Sequence, residues 1–168
     1  MNIILREWKR EDTQPLILLA NNKNIVDNMR DLFPHPYTLK DAEKWLTINE
    51  NRKPATNFAI ELEGKLTGGC GMRAFEDVYR RSAEIGYWIA EPFWGKGIAT
   101  EAVRLLLEKI ETDFPEIIRV SAEIFEHNTA SMKVLKKNGF HLESVREKAV
   151  IKNNIIMDDH VWVKLLDK

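Results

Sequence analysis

The chain holds one cysteine in 168 residues, Cys70. No intrachain disulfide can form, which excludes the disulfide-stapled secreted scaffolds and leads to the expectation of a cytoplasmic protein. No apolar run approaches the roughly 18 residues that a membrane-spanning helix requires. The opening Met1-Asn2-Ile3-Ile4-Leu5-Arg6 lacks the basic start and apolar stretch of a signal peptide. Charge of one sign is not in excess: the formal net charge is -1. Nothing global therefore draws the chain to nucleic acid or a membrane, and neither is expected as a partner. His35, His127, His141 and His160 have no zinc-type spacing, so no metal is expected. No Gly-x-Ser-x-Gly nucleophile elbow and no P-loop are present. Internal repeats, linkers and low-complexity segments are also missing.

What is present is ordinary for a globular protein, 44% hydrophobic and 30% charged, and the length suits one domain over 1–168. Ile3 to Trp8 reads as a strand. Glu11-Asp12 ahead of Pro15 and the run Leu16 to Ala20 suit a helix N-terminus. Asn21-Asn22 breaks it, and Ile25, Val26 and Met29 suggest a second short helix. Two prolines keep Phe33-Pro34-His35-Pro36-Tyr37 out of regular helix. Thr38 with Asp41 resembles a capping box, and Ala42, Trp45, Leu46 and Ile48 form the buried side of the next helix. Asn57 to Leu62, a turn at Glu63-Gly64 and Lys65 to Phe75 read as a hairpin whose glycines permit a bulge. Cys70, in Thr67-Gly68-Gly69-Cys70-Gly71-Met72, fits a small buried hydrophobe better than a nucleophile. A further strand spans Ala83 to Ala90. A helix from Ala99 to Ile110 follows, burying Ile98, Ala102, Leu105 and Leu106 with Val103 and Ile110 beside them. Ile117 to Phe125 is a strand, and Asn128 to Lys137 a helix closed by Asn138-Gly139. Phe140 starts a last strand region, and within it Val145 to Ile151 and Ile155 to Leu166 pair as a long hairpin across Asn153-Asn154. The whole is α/β with a mixed sheet.

The stretch Trp94-Gly95-Lys96-Gly97-Ile98-Ala99 lies where a strand hands over to a helix. Such a turn points backbone N–H groups at one spot, at the positive end of the helix, and suits a phosphate. A dinucleotide fingerprint would need glycine or alanine at position 100, where Thr100 stands. The stretch resembles motif A of the GNAT acetyltransferases, Gln/Arg-x-x-Gly-x-Gly/Ala, with Gly97 as the glycine, Ala99 as the small residue and Trp94 in place of Gln or Arg. Asn128-Thr129-Ala130-Ser131, then Val134-Leu135 and Gly139-Phe140, is similar to the second signature of that superfamily. Ala83 to Ala102 and Phe33 to Thr38 with Asp41-Ala42 resemble its ribosomal-protein N-acetyltransferase branch.

The resemblance implies a mostly antiparallel twisted sheet, splayed at its centre between the strand ending at Ile89-Ala90 and the strand near Ser121 to Phe125, with flanking helices. It implies acetyl-coenzyme A as co-substrate, its pyrophosphate on backbone groups of Gly95, Lys96, Gly97, Ile98, Ala99 and Thr100. The Ile89 N–H would polarise the thioester carbonyl. Asn128 would contact pantetheine, or act simply as a helix N-cap, the two being compatible. Ser131 would protonate the leaving thiolate, against a plain first-turn serine. Glu84 is the first candidate for the base, because Gly86 and Trp88 share its strand face and a small neighbour leaves room for a substrate. Glu123 is its rival, and either can be a paired strand carboxylate. Lys96 adds charge or is solvated, and Tyr37 lines the acceptor site or packs in its loop.

The expected activity is direct acetyl transfer to a primary amine, a protein or peptide N-terminus, in a monomer or homodimer. A polyamine- or aminoglycoside-like small-molecule acceptor stays open, as does a coenzyme A binding module without catalysis.

Overall fold

The computed structural model describes residues 2–167. Among the described residues there are seven strands and five α-helices. They are β1 (Ile3–Arg6), α1 (Thr13–Ala20), α2 (Lys23–Val26), α3 (Leu39–Asn49), β2 (Asn57–Leu62), β3 (Lys65–Ala74) and β4 (Ser82–Ile89). After these come α4 (Ile98–Asp113), β5 (Arg119–Phe125), α5 (Thr129–Lys137), β6 (His141–Lys152) and β7 (Ile155–Leu165). Backbone pairing orders the strands β1-β2-β3-β4-β5-β7-β6 in one mixed sheet. The β4–β5 pair is parallel, and the β1–β2, β2–β3, β5–β7 and β6–β7 pairs are antiparallel. The paired register of β4 and β5 runs from Ser82↔Arg119 to Glu84↔Ser121. Both strands continue past it, β4 to Ile89 and β5 to Phe125.

The chain forms two compact units, and β3, β4 and α4 each pass from one into the other. The first unit comprises residues 1–71 and 87–102. Its core gathers Trp8, Leu16, Ala20, Tyr37, Ala42 and Leu46 around Ala59 and Leu66 of the β2–β3 hairpin. Arg6 is clamped between Asp12, at 2.7 Å through two nitrogens, and Glu61 at 2.5 Å. The Asp12 hydrogen bond first, then that of Glu61, outweighs the burial of Arg6 and raises its pKa. α3 starts as its sequence dictates: the Thr38 hydroxyl accepts from the Asp41 N–H, and the Asp41 carboxylate accepts from the Thr38 N–H at 2.9 Å. The hairpin carries the expected irregularity. Ile60 pairs with Gly68 and Glu61 with Leu66, which leaves Thr67 as the extra residue of a bulge.

The second unit comprises residues 72–86 and 103–168. Val120, Ala122 and Ile124 of β5 are buried, as are Val161 and Val163 of β7. β6 and β7 form the long hairpin across Asn153-Asn154.

Several boundaries move. Trp8 is buried but lies beyond β1, Phe75 lies just beyond β3, and β5 starts at Arg119 rather than Ile117. β6 begins at His141 because its first pairs with Val163 and Trp162 precede a bulge. Ile48 points outward, 49% exposed, since Ala42 and Leu46 one turn apart already define the buried stripe of α3. On α4, Leu107 is buried and Leu105 only partly, so the buried face is rotated by part of a turn. Cys70 is buried and forms no disulfide.

Candidate active site

In the first unit, β4 ends at Ile89, and a single helical turn, Glu91–Phe93, leads to the glycine stretch. Gly95 and Gly97 have φ of +73° and +78°. That region is open to glycine and strained for other residues, which explains the two glycines here. A Cβ at either position would meet nothing within 4 Å, so the backbone is approachable on that side. The first bond of α4 runs from the Glu101 N–H to the Gly97 C=O. The N–H groups of Ile98 and Ala99 precede it and have no partner inside the helix. Ile98 is fully buried and anchors the helix start. An open backbone concavity at a helix N-terminus fits a phosphate-bearing ligand, and the helix dipole adds about 0.3–1 kcal/mol for an anion there.

Two side chains fold back onto this loop. The Trp94 indole N–H donates to the Ile89 C=O at 2.6 Å. Lys96 donates to the Pro92 C=O at 2.9 Å and lies over the Phe93 ring at 5.4 Å. Glu91 accepts from Asn22 at 2.6 Å and Asn24 at 3.1 Å, which ties the start of α2 to the same turn and lowers the Glu91 pKa. Tyr37 is a packed aromatic, 6% exposed and 5.5 Å from Phe33, which in turn meets Trp88 edge-on at 5.9 Å. Burial, with a smaller contribution from Asp41, pushes the Tyr37 phenol up to about 12.

In the second unit, Glu84 and Ser121 are register partners, and Glu123 lies two residues along β5 on the face of Ser121. Glu84 accepts from Arg73 at 2.6 Å, and a Cβ on nearby Gly86 would meet nothing within 4 Å. Glu123 accepts from Arg146 at 2.5 Å, and Arg146 also faces Asp159 at 3.4 Å. The Glu123 hydrogen bond, followed by the charges of Glu123, Asp159 and Glu84, raises the Arg146 pKa against the cost of burial. Asn128 caps α5, its side-chain oxygen accepting from the Ser131 N–H at 3.1 Å. This puts Ser131 in the first turn, half-buried. Ile89 and residues 95–100 thus fall in the first unit, and Glu84, Glu123, Asn128 and Ser131 in the second. Among the described residues, no group of three or more His, Cys, Asp or Glu is placed to hold a metal ion, and no helix is long and apolar enough to cross a membrane.

Sequence reasoning missed the partners: the Trp94–Ile89 bond and the arginines on both glutamates. For Trp94 a signal existed. Its indole nitrogen lies three bonds beyond Cβ, as does the amide nitrogen of the glutamine expected at that position. The arginines had none, since Arg146 and Glu123 meet only once β7 is laid between β5 and β6.

Comparison with known proteins shows the family and the fold. Residues 2–141 match the model of the acetyltransferase (GNAT) domain. The ribosomal-protein-serine acetyltransferase of Escherichia coli K12 is 29% identical, over 89% of this chain and 84% of that protein. The spermidine N(1)-acetyltransferase of the same organism is 27% identical, over 84% of this chain and 74% of its own length. The solved structure of RimL, a ribosomal L7/L12 alpha-N-protein acetyltransferase in complex with coenzyme A, has a TM-score of 0.86 at 22% identity. The likeness covers 99% of this chain and 96% of that one, and it bears out the mixed, mostly antiparallel open sheet. Since the family match takes in most of the chain, this protein belongs to the GNAT acetyltransferases and is an N-acetyltransferase.

Proposed function

We propose that the chain uses acetyl-coenzyme A to acetylate the terminal amine of a protein or peptide. The observation that carries the cofactor reading is the pair of left-handed glycines, Gly95 and Gly97, opening onto free space ahead of α4. Backbone groups of Gly95, Lys96, Gly97, Ile98, Ala99 and Thr100 would hold the pyrophosphate, and Asn128 the pantetheine. The bound co-substrate supplies an activated acetyl thioester. The Ile89 N–H donates to the acetyl oxygen and stabilises the negative charge that grows there. Glu84 takes the proton of the attacking amine, through water where the amine is distant, with Glu123 as the alternative carboxylate. Ser131 donates its hydroxyl proton to the departing sulfur and is reprotonated through water with the proton released from the amine. No covalent enzyme intermediate forms, in keeping with the missing nucleophile elbow.

An α-amine has a pKa near 8 and a lysine-type amine near 10.4, so freeing the latter at neutral pH costs roughly 3 kcal/mol more. An α-amine therefore needs less help from a base, and a water chain to a carboxylate suffices. The spermidine-acetylating relative supports a second reading, in which the acceptor is a polyamine. Thiol release from acetyl-coenzyme A, measured with N-terminal peptides and with polyamines, tests both. Faster turnover with peptides is expected. Turnover with polyamines alone would transfer the assignment to small amines. Coenzyme A binding without turnover on any amine would point to a binding module.

A further inference from the structure

The peptide unit joining Ile89 to Ala90 is held at both ends. Its N–H, on Ala90, donates to the Thr67 C=O at 2.8 Å. Its C=O, on Ile89, accepts from the Trp94 indole at 2.6 Å. Thr67 is itself fixed: it is the bulged residue of β3, fully buried, and its hydroxyl donates to the Ile60 C=O at 3.0 Å. The preceding peptide, Trp88 to Ile89, carries the Ile89 N–H. It lies against Gly68 so closely that a Cβ there would come within 2.2 Å of the Trp88 carbonyl oxygen. With one peptide pinned and the other packed against backbone, the Ile89 N–H cannot swing without breaking one of these contacts.

We infer that Trp94 is a positioning residue that sets the direction of the Ile89 N–H through its bond to the Ile89 carbonyl. The inference rests on the proposed role of that N–H in acetyl transfer. It also accounts for tryptophan at the head of the loop. The indole N–H reaches as far from Cβ as a glutamine amide N–H, so the donor survives the change of side chain. At 45% exposure the ring is not a core residue.

The test is kinetic. Trp94→Phe keeps an aromatic ring and removes the donor. Loss of one hydrogen bond of this type corresponds to a roughly 3- to 10-fold fall in kcat for thiol release. Coenzyme A affinity by calorimetry should stay within about two-fold, because the loop glycines bind through backbone. Trp94→Gln restores a donor of equal reach and should recover most of the lost kcat. An unchanged kcat in Trp94→Phe overturns the proposal, as does a parallel loss of affinity and kcat, or a glutamine variant no better than phenylalanine. Wild-type protein measured alongside keeps the two levels apart. If it neither binds coenzyme A nor releases thiol, the functional reading fails and takes this proposal with it. If it does both beside an unimpaired Trp94→Phe, only the role of Trp94 falls.

Discussion

Around Ile89 the chain is held by neutral hydrogen bonds to its backbone. Two carbonyls and two N–H or indole donors, a bulge at Thr67 and glycines at 68, 95 and 97 fix it, with no ionised group in the hydrogen bonds to the Ile89–Ala90 peptide. Around Glu84 and Glu123 the holding is done by side-chain ion pairs, through arginines that remain 65% and 48% exposed. Pairs with so exposed a partner are worth roughly 0–1 kcal/mol and weaken with salt. The first region is built to present donors in one fixed geometry at any pH. The second holds two largely covered carboxylates, their side chains 11% and 26% exposed, on arginine partners that yield easily.

Four substitutions probe that contrast. The largest effect is expected from Gly97→Val, which forces a β-branched residue to φ +78° and fills the open side of the loop. Coenzyme A affinity should fall about 100-fold or more, equivalent to roughly 2.7 kcal/mol, and calorimetry that shows no change would refute the loop assignment. Glu84→Gln should reduce turnover about 100-fold while cofactor affinity holds. Its pH–rate profile should lose the limb that reports the base; an intact limb would move the role to Glu123 or to water. Gly68→Ala drives a methyl toward the Trp88 carbonyl and should cost about 1–3 kcal/mol in urea unfolding. A neutral result would mean that β3 and β4 separate freely there.

The smallest effect concerns Asp41. The Thr38 hydroxyl and then its N–H bond the carboxylate and lower its pKa below the usual value. A lowered folded-state pKa favours the native state above the unfolded pKa, and the benefit disappears as pH falls through the folded value. The stability gap between the wild type and Asp41→Asn should therefore be constant at neutral pH and close in acid. A gap that widens on acidification would contradict the capping geometry.

Local features were legible in the sequence where the physics is local. The Thr38–Asp41 box, the Asn128 cap over Ser131, the bulge in the glycine-rich strand and the Asn153-Asn154 hairpin each depend on residues close together in the chain. The turn at Gly95 and Gly97 was legible because left-handed backbone at a helix start favours glycine. Arg73 on Glu84 and Arg146 on Glu123 were not legible, since strand order decides which long side chain reaches which carboxylate. Lys96 reads in one dimension as added charge or a solvated lysine; in three, its ammonium also meets the Pro92 carbonyl and the Phe93 ring, contacts that only the loop's shape reveals.

The central claim is that the Gly95–Gly97 loop selects coenzyme A. Calorimetric titration of the chain with coenzyme A, NAD and ATP addresses it directly. Coenzyme A should bind at a single site, abolished in Gly97→Val, with neither NAD nor ATP displacing it. Tight binding of NAD or ATP with no heat from coenzyme A would contradict the account.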